Sequence, residues 1–284
     1  MSAVSVPLRK ESISEGGAHG RAATGGRGKT RRSTGKDEET MIWFTGDTHR
    51  EIDVRKLNAH QWPEQKKLTK DDYLIVLGDF GCVWDGGGGD AYWQKWHNNK
   101  PYTTLFVPGN HENYDLLRQY PTEEWNGGIV RRIMPSVLML ERGYVFDIDD
   151  KKIFAMGGAQ SHDMEYRIPG RSWWADELPN DGEYEVARGN LELAGNKVDL
   201  IISHCAPAKI EKEIFSRSIS PSHSRLSRFF QHEVADVADY DLWLFGHYHI
   251  DSLIDEKHIC LYHTVASLDS ILARRNELLR GEDK

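Results

Sequence analysis

The chain has 284 residues, enough to bury a substantial core in one large domain or two small ones. With 39% hydrophobic and 28% charged residues it has an ordinary globular composition, and no run approaches the roughly 18 apolar residues that would span a bilayer. A formal charge of −8 disfavours a broad nucleic-acid-binding face, which needs a basic stripe.

Residues 1–40 stand apart from the rest. They are dominated by Gly, Ser, Thr, Arg and Lys, carry a balance of +3 and contain no aromatic residue. Such a segment cannot bury enough surface to offset its ordering entropy, so disorder is expected there. The remaining residues, near −11, begin abruptly with a strand-like run at Met41, which is the expected start of the natural product. Linker-like composition is missing after residue 41, so a single domain over 41–284 is predicted. The N-terminus has no apolar signal core. Cys82, Cys205 and Cys260 are an odd, widely spaced set that argues against a disulfide framework, and a cytoplasmic location is expected.

In chain order, short apolar runs at 41–45, 73–77, 104–107, 200–203 and 242–245 each end where a polar motif begins. Runs of this length bounded by Gly or Pro read as buried strands. Candidate helices lie between them at about 54–70, 90–99, 113–119, 185–195 and 224–238. This alternation predicts α/β layers, with ligands gathered in loops after strand C-termini. Further β-like runs cover 129–133, 137–140, 144–148 and 152–156, with Asp149-Asp150 as a hairpin turn, and then 252–255 and 259–265. The glycines at 86–89 read as a mobile loop, and the charged residues near 274–284 as a solvated terminal helix.

The strand ends carry Gly46-Asp47-Thr48-His49, Gly78-Asp79, Gly109-Asn110-His111-Glu112, Ser203-His204 and Gly246-His247-Tyr248-His249. In extended backbone, residues i and i+2 share a side. Asp47 and His49 can therefore reach one ion, and His247 and His249 can face one cavity, on the same metal or on two. Asp79 offers two oxygens that could bridge a pair of ions, and Asn110 is an uncharged carbonyl ligand. Taken singly these signals are weak: a lone His after a strand is commonly structural, and Gly-Asp is a frequent turn. Together they supply enough oxygen and nitrogen ligands for two divalent ions, which points to hydrolytic phosphorus chemistry. Such mixed ligation accepts Mn, Fe, Zn, Ni or Co.

The order Asp-x-His, Gly-Asp, Gly-Asn-His-Glu, His, Gly-His-x-His, from Met41 to about Ser267, resembles the calcineurin-like metallophosphoesterases, including bacterial and phage-encoded members. The Gly109–Glu112 block is its most specific part. The resemblance implies a four-layer α-β-β-α sandwich with a dimetal site at one edge. It also implies that Asp47, His49 and His249 bind one metal, that Asp79 bridges, and that Asn110, His204 and His247 complete the second site. His111 would be the catalytic imidazole, outside both coordination spheres. In such a scheme two cations lower the pKa of a bridging water, hydroxide attacks phosphorus in line, and His111 protonates the leaving oxygen. No covalent nucleophile is needed, so Cys205 beside His204 is given no role.

Departures from the pattern bear on substrate. Where the protein Ser/Thr phosphatase branch has Gly, this chain has Arg50, and where that branch has an Asp-Arg pair it has Cys82 and Val83. The carboxylate that would orient His111 and an arginine that would grip phosphate are thus missing locally, with Asp85 the nearest substitute. The stretch Gly157-Gly158-Ala159-Gln160-Ser161-His162-Asp163, followed by Arg167, Arg171 and Ser172-Trp173-Trp174, offers replacements. Arginines suit phosphate oxygens and tryptophans can stack a flat group, although Trp173 and Trp174 are as readily core residues. Arg167, Arg171 and Trp173 are the candidate substrate contacts. His97, His223, His232, His258 and His263 read as surface or turn residues, and Cys82 and Cys260 as small buried apolar ones. The expected partner is a small phosphoester, with no stable nucleic-acid complex and no membrane. A Ser/Thr phosphoprotein phosphatase and a non-catalytic scaffold of the same fold are the alternatives.

Overall fold

The computed structural model describes residues 40–215 and 223–280. The disorder expected for residues 1–40 falls, Thr40 aside, outside the described residues, as does the end of the charged C-terminal stretch.

Strands β1 (Ile42–Thr45), β2 (Tyr73–Val76), β3 (Thr103–Phe106), β4 (Thr122–Trp125), β5 (Gly128–Met134) and β6 (Val137–Leu140) build one sheet. Strands β7 (Tyr144–Ile148), β8 (Lys151–Met156), β9 (Leu200–Ser203), β10 (Leu242–Phe245), β11 (Ser252–Leu253) and β12 (His258–Cys260) build a second. Strand β13 (Ala266–Ser267) returns to the first sheet and pairs with β1. The spatial orders are β13-β1-β2-β3-β6-β5-β4 and β11-β12-β10-β9-β8-β7. The centres of both sheets are parallel: β1, β2, β3 and β6 in one, β8, β9, β10 and β12 in the other.

Side-chain alternation explains the layering. Phe44, Ile75 and Leu105 of the first sheet pack with Ile153, Ile202 and Leu244 of the second in one buried cluster, so the sheets face each other. Their sequence neighbours point the opposite way, as a period of two requires. Trp43, Leu74 and Phe106 pack outward against Leu57, Trp62 and Leu117. Phe154, Ile201 and Trp243 pack outward against Tyr184, Leu191, Ile210 and Phe230. Central strands buried on both faces read as unbroken apolar runs. The outer layers hold α1 (Gly88–Asn98) and α2 (Tyr114–Leu117) on the first sheet, and α3 (Asp181–Leu193), α4 (Ala208–Ile214) and α5 (Arg225–Phe229) on the second. The result is the four-layer α-β-β-α sandwich. Helix α6 (Leu268–Leu279) follows β13 and buries Leu268 and Ile271 in the inter-sheet core.

Several boundaries differ from expectation. Segment 54–70 is not one helix but two short 3-10 turns, Val54–Leu57 and Pro63–Lys67, because Pro63 cannot continue a helix and bends the residue before it out of helical backbone. The glycines at 86–89 do not form a separate loop: Gly87 caps α1 and Gly88 opens it. Helix α5 runs on as a π-helical stretch, Phe230–Ala235. The run at 259–265 splits into the ends of β12 and β13. Asp149 and Asp150 make the β7–β8 turn with positive φ of 51° and 56°. Helix α3 begins at a capping box in which Asn180 and Glu183 satisfy each other's backbone N–H groups. All three cysteines are free and buried. No helix among the described residues is long and apolar enough to cross a membrane.

Candidate metal centre

Parallel strands aim their C-terminal ends in one direction, so the loops after β1, β2, β3, β9 and β10 gather at one edge. Asp79 lies at the middle of that gathering and is 1% exposed. One of its oxygens, Oδ2, is 3.2 Å from Nε2 of His49, and the other, Oδ1, is 3.2 Å from Nε2 of His204. Donor atoms of Asp47, His49, Asp79 and His249 all lie within 4.8 Å of one another. On the other side of Asp79, the oxygen of Asn110 is 3.2 Å from His204 Nε2, and the ring of His247 is 5.0 Å from that of His204. The structure therefore brings the seven predicted ligand residues together in two groups that share Asp79.

Hydrogen bonding fixes how these rings present themselves. Nδ1–H of His204 donates to the Leu77 carbonyl at 2.8 Å, which turns Nε2 toward Asp79 and Asn110. Nδ1–H of His49 donates to Asp53 at 2.7 Å, leaving its Nε2 toward Asp79. With Nε2 of each ring 3.2 Å from a carboxylate oxygen of Asp79, a proton or a metal ion must lie between them. The electrostatics agree. Burial alone would lower the proton affinity of His49, but Asp79, Asp47 and Asp53 outweigh it and raise its pKa to about 9. Burial is likewise overcome at His204, where Asp79 and Asp47 raise the pKa to about 9. Both groups of residues thus attract positive charge, and their oxygen and imidazole donors suit a divalent transition metal.

The backbone here is strained. Asp47, His49, Asp79, His247 and His249 have positive φ of 38°, 40°, 49°, 69° and 52°. Left-handed conformations cost non-glycine residues roughly 1 kcal/mol or more each, a total of about 5 kcal/mol that rivals the net stability of a domain. Long-range bonds hold the loops against that cost. The N–H of His49 donates to the Asp79 carbonyl at 2.9 Å, that of His111 to Asp79 Oδ1 at 2.8 Å, and that of His247 to Asp47 Oδ2 at 3.0 Å. Buried Lys56 donates to the carbonyls of Gly46, Asp47 and Tyr262. Glu112 is fully buried behind Asp79 and accepts from Phe80 N–H at 2.7 Å; burial and then Asp79 push its pKa up to about 8. Glycine is required at Gly78 (φ 90°), where a Cβ would stand 2.1 Å from His204 Nδ1.

His111 lies beside the first group, its ring 5.2 Å from that of His49. Its pKa is pushed down, by burial first, with His49 and Arg167 adding to the effect against Asp79. Arg167 places Nη2 3.4 Å from His111 Nε2 while its Nε binds Asp163 at 2.6 Å. Arg171 is exposed on the turn beyond, and among the described residues no hydrogen bond or ion pair joins its side chain to the seven. Trp173 is half-buried and its carbonyl accepts from Gly170 N–H at 2.8 Å. Trp174 is a core residue: it is 4% exposed, packs on Trp84 and donates to Asp115 at 2.8 Å.

Asp85 does not turn to His111; it pairs with Arg50, as does Asp90, at 3.3 and 2.9 Å. Cys82 and Val83 are buried in the outer core. His97 and His258 are buried rather than superficial, the first against Phe80, the second between Asp255 and Tyr240. His162 stacks on His247 at 5.7 Å. Sequence reasoning missed Asp53, Lys56, Glu177 and Tyr262, and singled out the stretch holding Ser161 without giving that residue a role. Only Asp53 left a local trace, four residues after His49.

The chain is similar to known proteins. Lariat debranching enzymes from Caenorhabditis briggsae and Schizosaccharomyces pombe are 22% and 25% identical to it, over 61% and 55% of this chain. The matches cover 37% and 35% of those proteins, so the chain spans little more than a third of the length of these curated relatives. A solved structure, the sulfate thiohydrolase SoxB of Thermus thermophilus in complex with glycerol, overlaps with a TM-score of 0.40 at 11% identity, covering 82% of this chain and 53% of that one. That overlap is too loose to carry a conclusion. The family model described as calcineurin-like phosphoesterase matches residues 40–251, which takes in all seven of these residues, and the chain belongs to that family.

Proposed function

We propose that this chain, through one domain over residues 41–284, is a dinuclear metal-dependent phosphoesterase that hydrolyses a phosphomonoester or phosphodiester by direct transfer to water. One observation carries the reading: the two carboxylate oxygens of Asp79 face separate imidazoles, His49 and His204, each at 3.2 Å. Family membership supports a metal-dependent phosphoric ester hydrolase. Asp47, His49 and His249 would hold one ion, Asn110, His204 and His247 the other, with Asp79 shared. Bound ions would supply an activated water and neutralise charge on the phosphoryl oxygens.

The protein's own groups do the rest. Two carboxylates among seven ligands leave two divalent ions with net positive charge, so an anionic ester is drawn in despite the acidic body of the chain. Arg167, held by Asp163, supplies the phosphate-gripping fork that Val83 cannot. His111, beside Arg167, would protonate the leaving oxygen. Arg171 and Trp173 would contact the remainder of the substrate. The metal would be Mn, Fe, Zn, Ni or Co, set by availability.

Metal-free protein reloaded with Mn²⁺, Ni²⁺ or Zn²⁺ tests this on p-nitrophenyl phosphate, its bis ester and a phosphopeptide. Turnover of either small ester supports the reading. Failure on all three favours a scaffold, and phosphopeptide turnover far above the others favours a protein phosphatase. A phosphoenzyme trapped from labelled substrate would contradict direct transfer. The relatives' names add one arm to the assay, a lariat substrate.

A further inference from the structure

Asn110 can serve as a ligand only through its oxygen, and an amide turned by half a revolution would present NH₂ to the cation instead. Something must choose. Nδ2 of Asn110 is 3.3 Å from Oγ of Ser161. The Ser161 hydroxyl donates to Glu177 Oε2 at 2.7 Å, and the Ser161 N–H donates to Glu177 Oε1 at 2.7 Å. Donation to Oε2 commits the hydroxyl proton to Glu177. The serine oxygen then offers Asn110 only lone pairs, which accept from NH₂ and repel a carbonyl. Asn110, Ser161 and Glu177 are 5%, 2% and 1% exposed, so solvent has little access to reverse the choice.

Glu177 is itself held in place. Its carbonyl accepts from Arg142 Nη2 at 3.2 Å, and the same nitrogen donates to the Tyr114 hydroxyl at 2.7 Å. That hydroxyl donates to the Gly109 carbonyl at 2.5 Å, at the root of the loop that carries Asn110. The two ends of the relay are thus pinned to each other by a second route.

We propose that Ser161 and Glu177 are positioning residues that fix the Asn110 amide with its oxygen toward His204, and so set the affinity of the second metal. The inference rests on the dinuclear reading. It concerns residues from the β8–α3 connection, which lie outside the five motifs.

The test is a titration of metal-free protein with Co²⁺, followed by heat and by the visible absorption of the bound ion. Wild type binding only one equivalent would sink the dinuclear reading itself, before any variant is made. Given two equivalents, Ser161→Ala should weaken the second by about 10- to 100-fold and leave the first within about twofold. Glu177→Gln keeps the shape but lets an amide donate to Ser161, freeing the hydroxyl to face Asn110 with its proton; the same selective loss is expected. Adding Asn110→Asp to Ser161→Ala should restore the second equivalent, because a carboxylate presents oxygen whichever way it turns. Unchanged second-site affinity in both single variants, equal loss at both sites, or failure of the Asn110→Asp rescue would each overturn the proposal.

Discussion

Asp53 accepts a 2.7 Å hydrogen bond from Nδ1 of His49, and the opposite nitrogen of that ring looks at Asp79 from 3.2 Å. A carboxylate behind an imidazole fixes its tautomer and raises its basicity as a ligand. Asp53→Ala should lower affinity for the first metal by about 10- to 100-fold, with the second affected less. Equilibrium titration of metal-free protein reads this directly, and wild-type affinity in the variant would refute it.

His111 and Asp79 should separate chemistry from metal retention. His111→Ala is expected to keep the wild-type metal content while kcat falls roughly 10²- to 10⁴-fold, the usual worth of a general acid. Asp79→Asn should lose metal as well as activity. Elemental analysis beside turnover distinguishes the two, and metal loss in His111→Ala would place that ring among the ligands instead.

Removing the guanidinium of Arg167 takes away up to two charge-assisted bonds to phosphate. Such bonds are worth roughly 1.5–3 kcal/mol, so Arg167→Ala should cost about 10- to 100-fold in kcat/KM. Arg167→Lys should recover little, because a point charge does not reproduce a planar fork. Full activity in the lysine variant would show that charge alone suffices.

Gly109 packs against the central carboxylate, and a Cβ there would come within 2.1 Å of Asp79 Oδ1 and 2.3 Å of its backbone nitrogen. Neither neighbour is the free end of a flexible chain. Gly109→Ala should therefore destabilise the fold by about 1–3 kcal/mol and depress metal content. Denaturant unfolding and elemental analysis check both; a variant with native stability and metal content would mean that the loop yields easily.

His97 makes the fold sensitive to acid. Its ring is wholly buried against Phe80 at 4.7 Å and Trp96 at 5.0 Å, and burial, followed by Lys100, pushes its pKa down to about 3. An unfolded histidine titrates near 6.5, so between those values the unfolded chain binds a proton that the folded chain refuses. Its contribution is complete above about pH 6.5 and is lost as pH falls, by up to roughly 1.4 kcal/mol per unit. Between pH 6.5 and 5 that is about 2 kcal/mol. His97→Gln should flatten this window in denaturant unfolding, and an identical pH slope in both proteins would rule it out.

The sequence announced the sheets and the residues around Asp79 for one physical reason. Parallel strands covered on both faces leave uninterrupted apolar runs, and the polar residues that end them stand out. Strand β4 escaped notice because Thr122, Glu123 and Glu124 form a half-exposed edge with no apolar run. Pro63 carries in the sequence itself the break of the 54–70 segment. Lys56, Glu177 and Tyr262 could not be read at all, and Ser161 only as part of a glycine-rich stretch, since each acts on a residue brought near only by folding. Nor could the burial of His97 be read from its own position, because it depends on Phe80 arriving from another strand end.

Lys56 fastens the carbonyls of Gly46 and Asp47 to that of Tyr262, whose ring in turn lies flat on His249 at 4.4 Å. The stretch past residue 251 is therefore a clasp for the opening strand and not an appendage. A fragment trimmed after residue 251 would retain Asp79 and the six side chains around it, yet would leave an ammonium stranded without one of its three anchors and an imidazole without its backing plate.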